Sequence, residues 1–240
     1  MRRLQDKIAV IVGASQGIGR AIALAFAAEG ARVVVAARRR DALQRVVDQI
    51  AAEGGEAELI KADVTDEVSV SLLFDEVSRR HPRLDVLVNN AGIGSPRQLV
   101  ADTPTAQLDH VIDINLRGTF YCCRAGFRLM RARGGGTIIN VSSLAGTRAW
   151  AGAGAYCASK YGVVGLTRAL AHEGRTCGIR VSALCPGGVA PPESDGPRRE
   201  GYDELIEPGD VAQAAVFLAA LGPKATIHQL VLDQLGGSDW

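Results

Sequence analysis

Ile8-Ala9-Val10-Ile11-Val12, followed without a break by Gly13-Ala14-Ser15-Gln16-Gly17-Ile18-Gly19, is the stretch on which the fold of this 240-residue chain turns. Five apolar residues with no polar alternation describe a strand covered on both faces. Ile18, Ala21, Ile22, Ala25 and Phe26 then recur at helical spacing, so a helix opens directly behind the glycines. Glycine at such a strand-to-helix turn permits positive φ and lets another group approach the backbone closely. The first N–H groups of the helix and its positive dipole end face the turn, which favours a pyrophosphate there. The spacing is G-x-x-x-G-x-G, not the commoner G-x-G-x-x-G, and no Gly-Lys-Ser/Thr closes it as a P-loop would. A tight turn without a ligand is the plainer alternative.

Working outward, short apolar runs alternate with helical segments to the end of the chain. Ile8–Val12, Val33–Ala37, Leu59–Ala62, Val86–Val88, Thr137–Val141, Val181–Leu184 and Leu230–Leu232 read as strands. Leu108, Val111, Ile112, Asn115, Leu116 and Thr119 mark a further helix. This rhythm describes an α/β protein with a Rossmann-type doubly wound parallel sheet, three layers deep, in a single domain over residues 1–240. Pro186 to Pro208 breaks the rhythm with turn-formers and reads as a loop. Following a strand's carboxyl end, it is a candidate substrate loop; an insertion without a role is the alternative.

Composition excludes several classes. With a net charge of +1, nothing draws the chain to nucleic acid or to an anionic membrane. The five cysteines include an adjacent pair and no CxxC, which argues for free thiols and against a disulfide framework or a metal site. The apolar run after Met1-Arg2-Arg3 is shorter than a secretory or membrane segment requires, so a soluble, cytoplasmic protein is expected.

The second strand bears on the choice of dinucleotide. It ends in Ala36-Ala37 and runs into Arg38-Arg39-Arg40, with no carboxylate to hold a ribose 2′-hydroxyl or repel a 2′-phosphate. Guanidinium groups suit a phosphate, so Arg38, supported by Arg39 and Ser15, points to NADP. Arg40 reads as the start of the next helix, and a solvated helix start is the alternative for all three.

Together these residues resemble the short-chain dehydrogenase/reductase family in its compact single-domain branch, from about Lys7 to Gly236. The resemblance implies cofactor contacts from Gly13, Ser15, Gln16, Gly17, Ile18 and Gly19, and adenine contacts from Asp63 and Val64. The run Asn89-Asn90-Ala91-Gly92 would stabilise the sheet beside the adenine ribose, with Asn89, Ala91 and Gly92 as cofactor contacts, and Pro186, Gly187 and Val189 would lie at the nicotinamide. Ser143, Tyr156 and Lys160 match the family's active-site residues, with Tyr156 and Lys160 also touching the cofactor. Asn115, alone a satisfied core amide, is implied to relay protons through water to Lys160. A homotetramer or homodimer, built through the helices of Asn115 and Tyr156, is implied as well.

The chemistry also stands on the residues themselves. Tyr156 and Lys160, at i and i+4, share one helix face. A phenol near pKa 10 is a weak base, and bringing it to about 7 takes roughly 4 kcal/mol of differential stabilisation. A lysine ammonium and an oxidised nicotinamide are the expected source. Ser143 would hydrogen-bond a carbonyl oxygen while Ser142 faces the backbone. The expected partner is a small carbonyl or secondary alcohol, among which a 3-oxoacyl thioester and a steroid-like ketone are candidates. A non-catalytic NADP-binding sensor or scaffold is the rival reading.

Two departures from the family pattern qualify this. Pro191 stands where a threonine near the carboxamide is expected, leaving the backbone of Gly188 or Val189 to hold that group. The ending Asp233-Gln234 replaces a commoner Asp-Gly-Gly. Around the reacting carbonyl, Gly94 to Arg97, Leu144, Arg148, Ala149 and Trp150 are loosely expected, whereas Tyr161, His172 and His110 read as packing or surface.

Overall fold

The computed structural model describes residues 2–191 and 204–235. Seven strands form one parallel sheet: β1 (Ile8–Val12), β2 (Arg32–Ala37), β3 (Glu56–Lys61), β4 (Val86–Asn89), β5 (Gly136–Val141), β6 (Ile179–Pro186) and β7 (Gln229–Leu232). Their order across the sheet is β3-β2-β1-β4-β5-β6-β7, and every neighbouring pair is parallel. The helices are α1 (Gly17–Ala28), α2 (Arg40–Ala52), α3 (Glu67–Arg80), α4 (Thr105–Ile112), α5 (Gly118–Ala132), α6 (Gly154–Gly174) and α7 (Pro208–Ala220).

The continuous apolar strands feed two cores, because successive side chains leave a strand on opposite faces. Ala9 and Ile11 of β1 pack with Ile22, Phe26, Leu43, Ile50 and Val216, from α1, α2 and α7. Val10 and Val12 turn the other way, onto Leu73, Phe74, Ile114, Met130 and Leu170. This is the three-layer arrangement expected from the sequence. The sequence reading placed β3 at Leu59–Ala62, whereas the strand begins at Glu56. It is a half-exposed edge strand, so Glu56 and Glu58 can sit within it and hide its first half from an apolar scan.

Strand order reverses between β1 and β4, and the crevice beyond their carboxyl ends is where a doubly wound sheet binds ligands. Helices α4 and α5 are one continuous rod joined by a π-helical turn, Asp113–Arg117, that contains Asn115. The start of the Pro186–Pro208 segment is tied to its end by a parallel bridge between Val189 and Ile206, while residues 192–203 lie outside the described residues. All five cysteines are free thiols, four of them buried. Among the described residues no helix is long and apolar enough to cross a membrane, and no cluster of metal-binding side chains occurs.

Candidate active site

A cleft of about 1010 Å³ runs along the carboxyl ends of the central strands. At one end it is lined by Gly13, Ser15, Gln16, Gly17, Ile18, Arg38, Arg39, Asp63 and Val64. Asn90, Ala91 and Gly92 line its middle, and Ser143, Tyr156, Lys160, Pro186, Gly187 and Val189 the other end.

The glycine turn is built for close approach. Gly13 has φ +82°, and a Cβ there would stand 2.5 Å from the backbone nitrogen of Ala91. Gly19 does not line the cleft; a Cβ on it would meet the Gly13 carbonyl oxygen at 2.2 Å, so it lets α1 pack behind the turn. No side chain caps α1 and no acidic residue stands in its first turn. Its first N–H groups and positive end therefore face the cleft without an internal anion, which fits a dinucleotide phosphate.

Arg38 and Arg39 are exposed at the mouth, and Arg39 donates to Oε1 of Gln16. Burial works to raise the Asp63 carboxyl. Hydrogen bonds from the N–H and hydroxyl of Thr65, at 3.0 and 2.8 Å, together with the Arg38 charge, hold it below its ordinary value.

Asn89 is not brought to the cleft. As the last residue of β4 it points into the core beneath α5 and α6, where Nδ2 donates to Asn140 Oδ1 at 2.8 Å and to Cys123 Sγ at 3.2 Å. Its neighbour Asn90, part of the same expected motif but not singled out as a cofactor contact, lines the cleft and donates to the Gly13 carbonyl at 2.9 Å. The period-two alternation of a strand was the available signal.

Asn115 is buried beneath the cleft, not in its wall. Its Oδ1 accepts from Ile93 N at 2.8 Å, and its Nδ2 donates to Ile93 O at 2.9 Å and Ser159 Oγ at 3.1 Å. A Cβ at Gly92 would crowd both Asn115 Oδ1 (3.3 Å) and Lys160 Nζ (3.4 Å), so glycine at this position leaves them room.

At the end of the cleft opposite the glycine turn, Lys160 is 6% exposed and its Nζ donates to the Val141 carbonyl at 3.2 Å. Burial lowers its pKa to about 8. Nζ lies 5.7 Å from the centre of the Tyr156 ring. At Tyr156 burial raises the phenol above its ordinary value, outweighing the Ser143 hydroxyl that works to lower it. The chain's own groups therefore keep the phenol protonated at neutral pH. Ser143 faces the cleft, and its Oγ accepts from Ala145 N at 3.2 Å. Ser142 turns inward and donates to the Lys160 carbonyl at 3.0 Å, the backbone role expected for it.

Of the looser expectations, Gly94 lines the cleft while Arg148 pairs with Asp233 at 3.0 Å. Trp150 packs, as Tyr156 does, on Ala145, Ala153 and Cys157. Of the two backbone groups expected behind Pro191, the Gly188 N–H is already donated to Gln234 Oε1 at 3.2 Å.

The fold and the position of this cleft define a doubly wound α/β protein with its site at the topological switch point. Over residues 7–202 the sequence matches the short chain dehydrogenase family, and the protein belongs to the short-chain dehydrogenase/reductase family. A 3beta-hydroxysteroid dehydrogenase from Mediterraneibacter gnavus is 43% identical over 192 residues, covering 80% of this chain and 69% of that protein. A 3-oxoacyl-[acyl-carrier-protein] reductase from Synechocystis is 38% identical over 226 residues, covering 91% of each. A metagenomic short-chain oxidoreductase crystallised with NADP superposes with a TM-score of 0.85 at 36% identity, covering 97% of this chain and 98% of that one. The protein is accordingly an oxidoreductase acting on a CH–OH/C=O pair.

Proposed function

We propose that this protein is an NADP(H)-dependent oxidoreductase that interconverts a carbonyl and a secondary alcohol, with Tyr156 as the acid/base. The observation that carries the proposal is the meeting of Ser143, Tyr156 and Lys160 at one end of a single cleft whose other end holds the uncapped α1 and Arg38. Bound NADP would supply or accept the hydride. Gly13, Gly17 and Ile18 would hold its pyrophosphate, and Arg38, backed by Arg39 and Ser15, its 2′-phosphate.

In reduction, the Ser143 hydroxyl donates to the carbonyl oxygen and the Tyr156 phenol delivers the proton to it. The raised phenol suits that direction, because its resting form at neutral pH already carries the proton. Lys160, mainly an ammonium at pH 7, favours the phenolate left behind. Asn115 holds Ile93 against Ser159 of α6 and so steadies the wall beneath this group.

The relatives support 3-oxoacyl thioesters and steroid-like hydroxyl/ketone pairs as the first substrates to examine. Exposed Phe120 and Tyr161, on α5 and α6, support self-association as a homotetramer or homodimer. A panel of such ketones and alcohols, followed by NADPH absorbance, tests the reading. Turnover with NADPH that is lost in Tyr156→Phe supports it. Tight NADPH binding with no turnover on any member of the panel would point instead to a cofactor-binding sensor.

A further inference from the structure

The carboxamide side of the cleft is held from outside, by the residues that follow β7. After Pro186 the chain passes through Gly187, whose N–H donates to the Leu232 carbonyl at 2.8 Å, and then Gly188. The Gly188 carbonyl accepts from Ile206 N at 2.9 Å, and Ala190 N donates to Ile206 O at 2.9 Å. A parallel bridge of this form engages the residues on either side of Val189. It leaves the N–H and C=O of Val189 itself turned away from Ile206, and Val189 lines the cleft.

One amide side chain secures this turn at both of its strands. Gln234 Oε1 accepts the Gly188 N–H at 3.2 Å, and Gln234 Nε2 donates to the Glu204 carbonyl at 3.4 Å. The approach depends on there being no side chain at position 188, where a Cβ would stand 3.0 Å from Gln234 Nε2. Gln234 is itself oriented by its neighbour: its N–H donates to Asp233 Oδ1 at 2.9 Å, while Asp233 Oδ2 accepts from Arg148 at 3.0 Å. Arg148 follows closely on Ser143 in the same loop. Two adjacent residues thus tie the Ser143 loop and the Val189 turn to one anchor.

We infer that Gln234 is a positioning residue for the nicotinamide end: by fixing Gly188 it presents the backbone N–H and C=O of Val189 to the cofactor's carboxamide. The inference rests on the NADP reading above. It gives the chain a hold on the carboxamide that needs no side chain at Pro191.

The test compares two ligands and two variants. NADPH spans the whole cleft, whereas adenosine 2′,5′-bisphosphate occupies only the adenosine end. Gln234→Met keeps the bulk of the side chain without its hydrogen bonds, and Gln234→Glu keeps the acceptor for Gly188. The expected result is that Gln234→Met weakens NADPH about tenfold, the worth of a lost hydrogen bond, and lowers kcat with it. Its affinity for the bisphosphate stays as in the wild type, and Gln234→Glu restores most of the NADPH affinity. The inference is overturned if Gln234→Met binds NADPH like the wild type, if it loses the bisphosphate equally, or if Gln234→Glu is no better than Gln234→Met. A wild-type protein that binds neither ligand overturns the NADP reading itself, and this inference with it.

Discussion

The two ends of the cleft work by opposite means. At the α1 end the parts are backbone N–H groups, glycines and exposed arginines, and the charges stay in water. At the α6 end the parts are a buried lysine and a half-buried phenol, and desolvation dominates both, pulling Lys160 down to about 8 and pushing Tyr156 up. Binding can be assembled from local, solvated groups, because a phosphate needs only donors and positive charge. Proton transfer needs groups whose ionisation is tuned: desolvation brings Lys160 toward balance near neutral pH, while at Tyr156 it works against the phenolate, which the Lys160 ammonium and a bound oxidised nicotinamide would favour.

The sharpest way to break this contrast is Tyr156→Phe. It should lower turnover by about 10²–10⁴-fold while leaving NADPH affinity largely intact, measured by steady-state kinetics beside a binding titration. Turnover close to the wild type would remove Tyr156 from the chemistry.

Lys160→Met separates the cost of burial from its use. Folded Lys160 loses its proton around pH 8 and the unfolded residue near 10.5, so between those values the unfolded chain binds more protons and stability rises with pH. At neutral pH the buried ammonium costs about 3 kcal/mol. The variant should therefore resist urea better than the wild type at pH 7, with the difference shrinking through pH 8–10.5. A gap that stays constant over that range would deny that the ammonium is the source.

Arg38→Ala probes the solvated end. It should weaken NADPH by about 10–100-fold and leave NADH nearly unchanged, since one charge-assisted contact is removed. Equal loss of both dinucleotides would place Arg38 outside 2′-phosphate recognition. The smallest signal is spectroscopic. In the ligand-free protein, the phenolate absorbance of wild type minus Tyr156→Phe should stay flat up to about pH 10, given the raised phenol. A phenolate already present near pH 7 would show that the chain alone lowers Tyr156.

Much of this architecture was legible before folding. Val10 and Ile11 could be assigned to a doubly covered strand, and Gly13 to the turn behind it, because strand and turn preferences act over a few residues. The i,i+4 pairing of Tyr156 and Lys160 was equally local. Where the reading fell short, the missing information was the face a residue turns to. Asn89 and Asn90 are neighbours in the chain, yet one enters the core with Asn140 and the other lines the cleft. Glu56 and Glu58 were hidden because only the sheet order makes β3 an edge strand.

The sequence by itself determined the doubly wound sheet, the glycine turn and the residue types available for phosphate and proton chemistry, all set by short-range periodicity and backbone freedom. The tertiary structure alone decided how those groups behave. Burial raises Tyr156 and lowers Lys160, Asn115 is consumed by Ile93 and Ser159, and Gln234 reaches Gly188 from 46 residues away. Desolvation and long-range hydrogen bonds arise only when distant segments meet, which is why no local pattern could announce them.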